Sequence, residues 1–338
     1  MTKDIYHRLS EAYEFPESKY LSKIFQNCLT EQEALILLAL PGTPEEVAGK
    51  LCMDLAVVQS ILVELFNKGF AFYDLVEGNR RYALMSNWVE MRDALVVGKE
   101  VDRFGKETLD LLATMYDEEV SPAYDVEDSE FRVIPVHETI KSGTEVLSYE
   151  QVSGILEKAE TIAVMRCACR TVSRRCNNPI ETCITFDKAA KYMLERGAAR
   201  EITGEEALSI LNMCEEAGLV HMTSNASHGV SAICNCCTCC CDYLRAQIIL
   251  GRKHAAAKSR YRAVLDPALC NECGLCIDRC NFGAMTVLNS KPIVDEEKCF
   301  GCGLCASQCS VNAINLVQIR GPEHIPTREI EPLFSSYN

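Results

Sequence analysis

The stretch Cys270–Cys280, CNECGLCIDRC, returns 29 residues later as Cys299–Cys309, CFGCGLCASQC. Both copies space their cysteines C-x2-C-x2-C-x3-C, and both place Gly-Leu before the third cysteine. Four thiols in so short a loop match the ligand count of one 4Fe–4S cluster, so the two copies together ask for two. Gly274 and Gly303 let each loop wrap closely enough for backbone amides to point at cluster sulfurs. Each copy runs on into a short apolar segment, Ala284–Leu288 and Ala313–Val317, which reads as a strand. Chance duplication of an eight-cysteine pattern is negligible.

These residues resemble the bacterial two-cluster ferredoxin family over residues 262–318. The resemblance implies a ferredoxin-like fold and one-electron transfer. It also implies crossed ligation, because in that family the fourth cysteine of each run serves the other cluster. One cluster would then use Cys270, Cys273, Cys276 and Cys309, and the other Cys299, Cys302, Cys305 and Cys280. The proline that usually follows the fourth cysteine is here Asn281 and Ser310, a departure that touches loop rigidity rather than ligation. As a whole the chain resembles the larger multidomain iron–sulfur proteins of anaerobes, which join such a module to further cysteine-rich domains.

Upstream, residues 131–261 read as a cysteine-rich α+β domain. Strands are predicted at Phe131–Val136, Thr161–Arg166 and Leu219–Ser224, and helices at Tyr149–Ala159, Phe186–Arg196 and Glu205–Ala217. Cys167, Cys169, Cys176 and Cys183 follow a strand at the spacing C-x-C-x6-C-x6-C and are candidates for a third cluster. A four-thiolate zinc site is the rival reading. Arg166, Arg170, Arg174 and Arg175 surround this set and would offset the charge of either metal group. Cys234, Cys236, Cys237, Cys239, Cys240 and Cys241 put six more thiols into eight residues. They are candidate ligands of a further cluster, or spare thiols for redox or sulfur chemistry. Spacing does not say which thiols of the two sets go together. A basic stretch follows, Arg245, Arg252, Lys253, Lys258, Arg260 and Arg262, which reads as a solvated face or as a dock for an acidic redox partner.

Residues 1–98 predict N-terminal helices followed by a winged-helix-like order. A helix over Glu31–Leu40 stops at Pro41-Gly42, and Thr43, Pro44 and Glu46 form a capping box for the next. A third helix runs from Asp54 to Gly69, and a hairpin turns at Glu77-Gly78-Asn79. Between Glu31 and Gly98 there are ten acidic and five basic residues, a net of −5, and the third helix offers only Lys68. Phosphate neutralisation needs more than that, so the module reads as a protein dock and no nucleic-acid partner is expected. Residues 99–130 read as a linker helix (Glu107–Tyr116) and an acidic irregular stretch, and residues 319–338 as a tail.

The chain has 338 residues, 21 cysteines and a net charge of −14. Nineteen of the cysteines follow residue 160, the opening MTKDIYHRLS has no apolar signal core, and the longest aliphatic run, Ala34–Leu40, is too short to cross a membrane. A cytoplasmic, multidomain α+β protein is expected, with clustered thiols serving metal rather than disulfides. Cys28, Cys52 and Cys214 stand alone in helical patterns and read as core residues, and His137, His221 and His228 as structural side chains. No glycine fingerprint of a nucleotide site is present. Three functions compete. The first is an electron-transfer protein or subunit relaying electrons through two 4Fe–4S clusters, and one or two more, to a partner oxidoreductase. The second is a reductase or sulfur-chemistry enzyme acting at Cys234–Cys241. The third is a redox-sensing transcriptional regulator.

Overall fold

The computed structural model describes residues 4–85, 88–125, 129–136, 139–140, 152–289 and 291–327. The start of the helix predicted at Tyr149, His137 and the end of the C-terminal tail lie outside the described residues.

The N-terminal part opens with α1 (Ile5–Ala12) and α2 (Leu21–Cys28), then α3 (Glu31–Leu38), α4 (Pro44–Leu51) and α5 (Leu55–Lys68). Local chemistry starts and stops these helices. Thr30 with Glu33, and Thr43 with Glu46, form capping boxes that satisfy otherwise orphaned amides. Asp54 accepts from the amides of Ala56 and Val57, and Gly69 ends α5 in the left-handed conformation at φ 91°. The antiparallel hairpin β1 (Ala71–Val76) and β2 (Asn79–Leu84) follows. Next come α6 (Trp88–Val97) and α7 (Gly105–Met115). The acidic stretch after α7 is not irregular: it forms a π-helical turn, Tyr116–Val120, and a 3-10 turn, Ser121–Asp125. Tyr116, Val120 and Ser121 are buried there, which local composition does not announce.

The middle of the chain builds one antiparallel sheet. Its strands are β3 (Phe131–Val133), β4 (Ile162–Arg166), β5 (Glu181–Phe186), β6 (Ala199–Glu201), β7 (Val220–Ser224) and β8 (Ala232–Cys236), in the order β3-β7-β8-β5-β4-β6. Between them lie α8 (Val152–Leu156), α9 (Ala168–Ser173), α10 (Asp187–Glu195) and α11 (Gly204–Glu216), and α12 (Asp242–Ile248) follows β8. Strand alternation sends Val164, Ile184 and Ile233 into a core shared with Leu211 of α11. Met165, Cys167 and Cys183 face the other way, into a core that runs back to Tyr6 and Leu9.

The C-terminal part holds β9 (Tyr261–Leu265), α13 (Leu275–Asp278), β10 (Met285–Leu288), β11 (Lys291–Val294), α14 (Leu304–Ser307) and β12 (Ile314–Gln318). β9 pairs with β12 and β10 with β11, both antiparallel. The stacked rings of Phe282 and Phe300, 4.3 Å apart, fill a third core with Val220 and Met222 of β7, and the amide of Val136 donates to the Cys302 carbonyl at 2.9 Å. Among the described residues no helix is long and apolar enough to cross a membrane.

The basic and acidic stretches meet. Arg245 grips Asp117 through Nε at 3.0 Å and Nη2 at 2.9 Å, and Arg252 reaches Asp125 at 3.3 Å. Arg262 pairs with Glu296, Lys258 donates to the Glu297 carbonyl, and Arg260 is fully buried. Much of the basic face expected to be solvated or offered to a partner is therefore spent within the chain.

Candidate metal centres

The two cysteine repeats surround two cavities. The first is lined by Cys270, Cys273, Cys276 and Cys309, together with Cys305. The second is lined by Cys280, Cys299, Cys302 and Cys305. So the fourth cysteine of each run sits with the first three of the other. Helices α13 and α14 account for this: each begins at a glycine, Gly274 at φ 80° and Gly303 at φ 85°, and carries its fourth cysteine away from its own loop. Amides already point at sulfur, from Ala284 to Cys280 Sγ at 3.2 Å and from Ala313 to Cys309 Sγ at 3.2 Å. Such donors stabilise a thiolate bound to iron. Cys273 is exposed and Cys270 half-buried at the first cavity, whereas Cys299 and Cys305 at the second are buried, so the first set of thiols reaches nearer to solvent.

The sheet divides the other ten thiols differently from the expected grouping. Pairing of β5 with β8 sets Ile184 opposite Ile233, which places Cys183 beside Cys234 on the opposite face. Pairing of β4 with β5 sets Met165 opposite Cys183 and brings Cys167 close by. The outcome is a closed ring of neighbouring thiols: Cys167 lies beside Cys169 and Cys183, Cys183 beside Cys234, Cys234 beside Cys236, Cys236 beside Cys241, and Cys241 beside Cys169. Cys176 is not part of this ring. Helix α9, ended by Arg174 in the left-handed conformation, carries it to the far side of the sheet. There it meets Cys237, Cys239 and Cys240, under Cys214 and Leu219.

Two arginines serve these sulfurs rather than the four expected. Arg170 is buried, donates from Nη1 to the Asn235 carbonyl at 2.8 Å and lies 4.0 Å from Cys237 Sγ, so it stands between the ring and the Cys176 group. Its Nε is buried with no hydrogen-bond partner among the described residues, as is Nε of Arg279 beside the Cys280 cavity. Donors left open at a rim of thiols fit an acceptor such as cluster sulfide. By contrast Arg166 is exposed, Arg174 pairs with Asp110, and Arg175 reaches Asp117 at 2.9 Å. The second cation is Arg92 of α6, 2% exposed and paired with Asp93 and Asp242, with Tyr116 donating to the Asp242 carbonyl. Contacts from Cys167 and then Cys241 hold the Cys169 thiol well below its usual range, helped by Arg92 and Arg170. Contacts from Cys183 and then Cys236 bring Cys234 down to about 6. The only signal for Arg92 in the sequence is a lone arginine within the largely apolar run WVEMRDALVV.

His221 is buried, its Nδ1 2.6 Å from Asn235 Oδ1 and its Nε2 3.0 Å from Glu215 Oε1, so both ring nitrogens are taken. His228 contacts Ser227 Oγ at 2.8 Å, and His137 lies outside the described residues. Cys28 and Cys214 are buried, and burial pushes each thiol up to about 12, as expected of inert core residues. Cys52 is instead exposed, because it caps α4 in the left-handed conformation.

No curated protein and no solved structure matches the chain. One family model does, described as a 4Fe-4S binding domain, over residues 292–315. The match takes in Cys299, Cys302, Cys305 and Cys309 together with the loop glycines between them. The chain thus contains an iron–sulfur module of ferredoxin type, built on its second cysteine repeat.

Proposed function

We propose that the chain is an iron–sulfur electron-transfer protein or subunit, which passes single electrons between its clusters and a partner oxidoreductase in anaerobic metabolism. Cys270, Cys273, Cys276 and Cys309 would hold one 4Fe–4S cluster, and Cys299, Cys302, Cys305 and Cys280 a second. Four of the six ring thiols, Cys167, Cys169, Cys183, Cys234, Cys236 and Cys241, would hold a third. Each cluster supplies one-electron uptake and release when bound.

The observation that carries this reading is continuity. Cys280 and Cys302 of the second cavity pack into the same apolar core as Cys234, Cys236 and Cys241 of the ring. Cys273 brings the first set of thiols to the surface, where a partner has access. The protein's own groups do the rest: Phe282, Phe300 and Val136 exclude water between the sites, and Arg92 and Arg170 offset the ring's negative charge. Stepwise reduction of the full-length protein under nitrogen tests the reading. Absorbance near the thiolate-to-iron bands should bleach in one-electron steps, and the reduced protein should show interacting cluster signals by paramagnetic resonance. A protein that takes up no electrons under dithionite would end the relay proposal.

We further propose that the three helices and hairpin at the N-terminus dock protein rather than read DNA. All five basic residues between Glu31 and Gly98 have partners inside the chain. Lys50 donates to the carbonyls of Ala39 and Pro41, Lys68 pairs with Glu33 and Glu64, Arg80 with Glu195, Arg81 with Glu46, and Arg92 is buried. The outer face of α5 instead exposes Leu55, Val57 and Val63. Mobility-shift titration of the full chain should detect only weak, sequence-independent binding, in the micromolar range or weaker. A nanomolar, sequence-selective complex would make the protein a regulator.

A further inference from the structure

The four thiols on the far side of the sheet differ from the other cysteine sites in one measurable respect. Cys176 Sγ lies 3.9 Å from Cys237 Sγ and 3.7 Å from Cys240 Sγ, Cys239 Sγ lies 3.8 Å from Cys240 Sγ, and all four sulfurs fall within 4.8 Å of one another. Among the described residues no other set of three or more metal-ligating side chains is so tightly gathered. A cubane gives each thiolate a different corner iron, so its four sulfurs point outward and stay well beyond contact distance. The ferredoxin-type cysteines line two cavities, and no three of them are gathered so closely. A single tetrahedral ion behaves otherwise. With metal–sulfur bonds of about 2.3 Å, the edges of the sulfur tetrahedron are about 3.8 Å. The distances at Cys176, Cys237, Cys239 and Cys240 fit that tetrahedron and leave no room for a cubane.

We propose that Cys176, Cys237, Cys239 and Cys240 hold one zinc ion, as a structural site separate from the electron path. Four soft thiolates in a tetrahedron suit zinc, and the closed, four-ligand set suits a structural rather than a catalytic ion. The outer groups agree. Asn178 donates from Nδ2 to Cys176 Sγ at 3.3 Å, and Arg170 approaches Cys237, so the charge of a four-thiolate zinc is partly offset. The ion would tie the loop between α9 and β5 to the turn between β8 and α12. The elements these segments join carry the ring thiols Cys169, Cys183 and Cys236, and Cys241 caps α12, so the zinc would hold the frame in which the ring is built. This assignment does not rest on the relay reading, since zinc carries no electron.

Metal analysis of the full-length protein, purified without oxygen, is the test, together with zinc X-ray absorption. The expected result is about one zinc per chain, bound by four sulfurs at about 2.3 Å. The double variant Cys176→Ser/Cys239→Ser should lose that zinc and keep the native ratio of sulfide to iron. A native protein with no zinc would overturn the assignment, as would zinc bound by oxygen or nitrogen, or a single iron in its place. A variant that loses about four irons instead of zinc would show a cluster at this site. If the variant does not fold, the absorption spectrum of the native protein decides alone.

Discussion

Replacing Cys309 by Ala should remove the cluster held by Cys270, Cys273 and Cys276, and leave the one at Cys299, Cys302 and Cys305 in place. Cys309 follows the second cysteine loop in sequence, but its sulfur lines the cavity of the first. The amide of Ala313 is aimed at that sulfur, so the position is already shaped for a bound thiolate. Without the fourth ligand this cluster, which has Cys273 at the surface, should be lost with about four irons. Paired substitutions make the test sharp. Cys273→Ala with Cys309→Ala should lose no more iron than either alone, because both act on one cluster. Cys302→Ala with Cys309→Ala should lose about eight irons. The reverse pattern, about eight irons lost from the first pair and about four from the second, would show that ligation is not crossed.

Gly301→Ala should be far more damaging than Gly274→Ala, although both glycines lie in the cysteine loops. Both have positive φ, 69° at Gly301 and 80° at Gly274. Conformation alone does not demand glycine at 301, because the equivalent position of the first repeat is Glu272, which adopts φ 59°. The demand comes from proximity. A Cβ on Gly301 would run into the Tyr261 carbonyl oxygen and Ser259 Oγ, whereas one on Gly274 would meet nothing within 4 Å. Tyr261 is fully buried in β9, and Ser259 Oγ donates to the Gly301 carbonyl at 2.9 Å, so the backbone has no slack there. Gly301→Ala should cost on the order of 4 kcal/mol or more, through overpacking against fixed backbone. Gly274→Ala should cost about 1 kcal/mol, as αL strain. Thermal melting and cluster absorbance of the two variants, side by side, would measure the difference. Similar melting of the two would mean the loop can move away from β9.

Local signals in the sequence found the features with local causes. The capping box at Thr43, the helix start at Asp54 and the Gly69 stop need only a few adjacent residues, and the ferredoxin-type repeats announce themselves by spacing. Strands β5 and β8 were hidden because cysteines occupy the positions where strands usually show apolar side chains. ETCITF and AICNC are buried on both faces, with Ile184 and Ile233 turned to one core and Cys183, Cys234 and Cys236 to the other side. The partition of thiols was hidden for a related reason. Cys176 meets Cys240 across 64 residues, and only the sheet order β8-β5-β4 brings them together. Charge partners were equally remote, since Arg245 finds Asp117 across 128 residues and Arg92 finds Asp242 across 150. A basic run is legible as a run, but whether it faces solvent or an acidic turn is set by tertiary packing.

Iron and acid-labile sulfide in the full-length protein, purified and handled without oxygen, test most directly whether the electron path continues beyond the ferredoxin-type module. Two clusters in the repeats and one in the six-thiol ring give about twelve irons and about twelve sulfides per chain. Cys167→Ala with Cys234→Ala should then lower both by about four and leave the signals of the two repeat clusters unchanged. A native protein holding only about eight irons, with the ring variant indistinguishable from it, would contradict a third cluster. The relay would then end at Cys280, Cys299, Cys302 and Cys305.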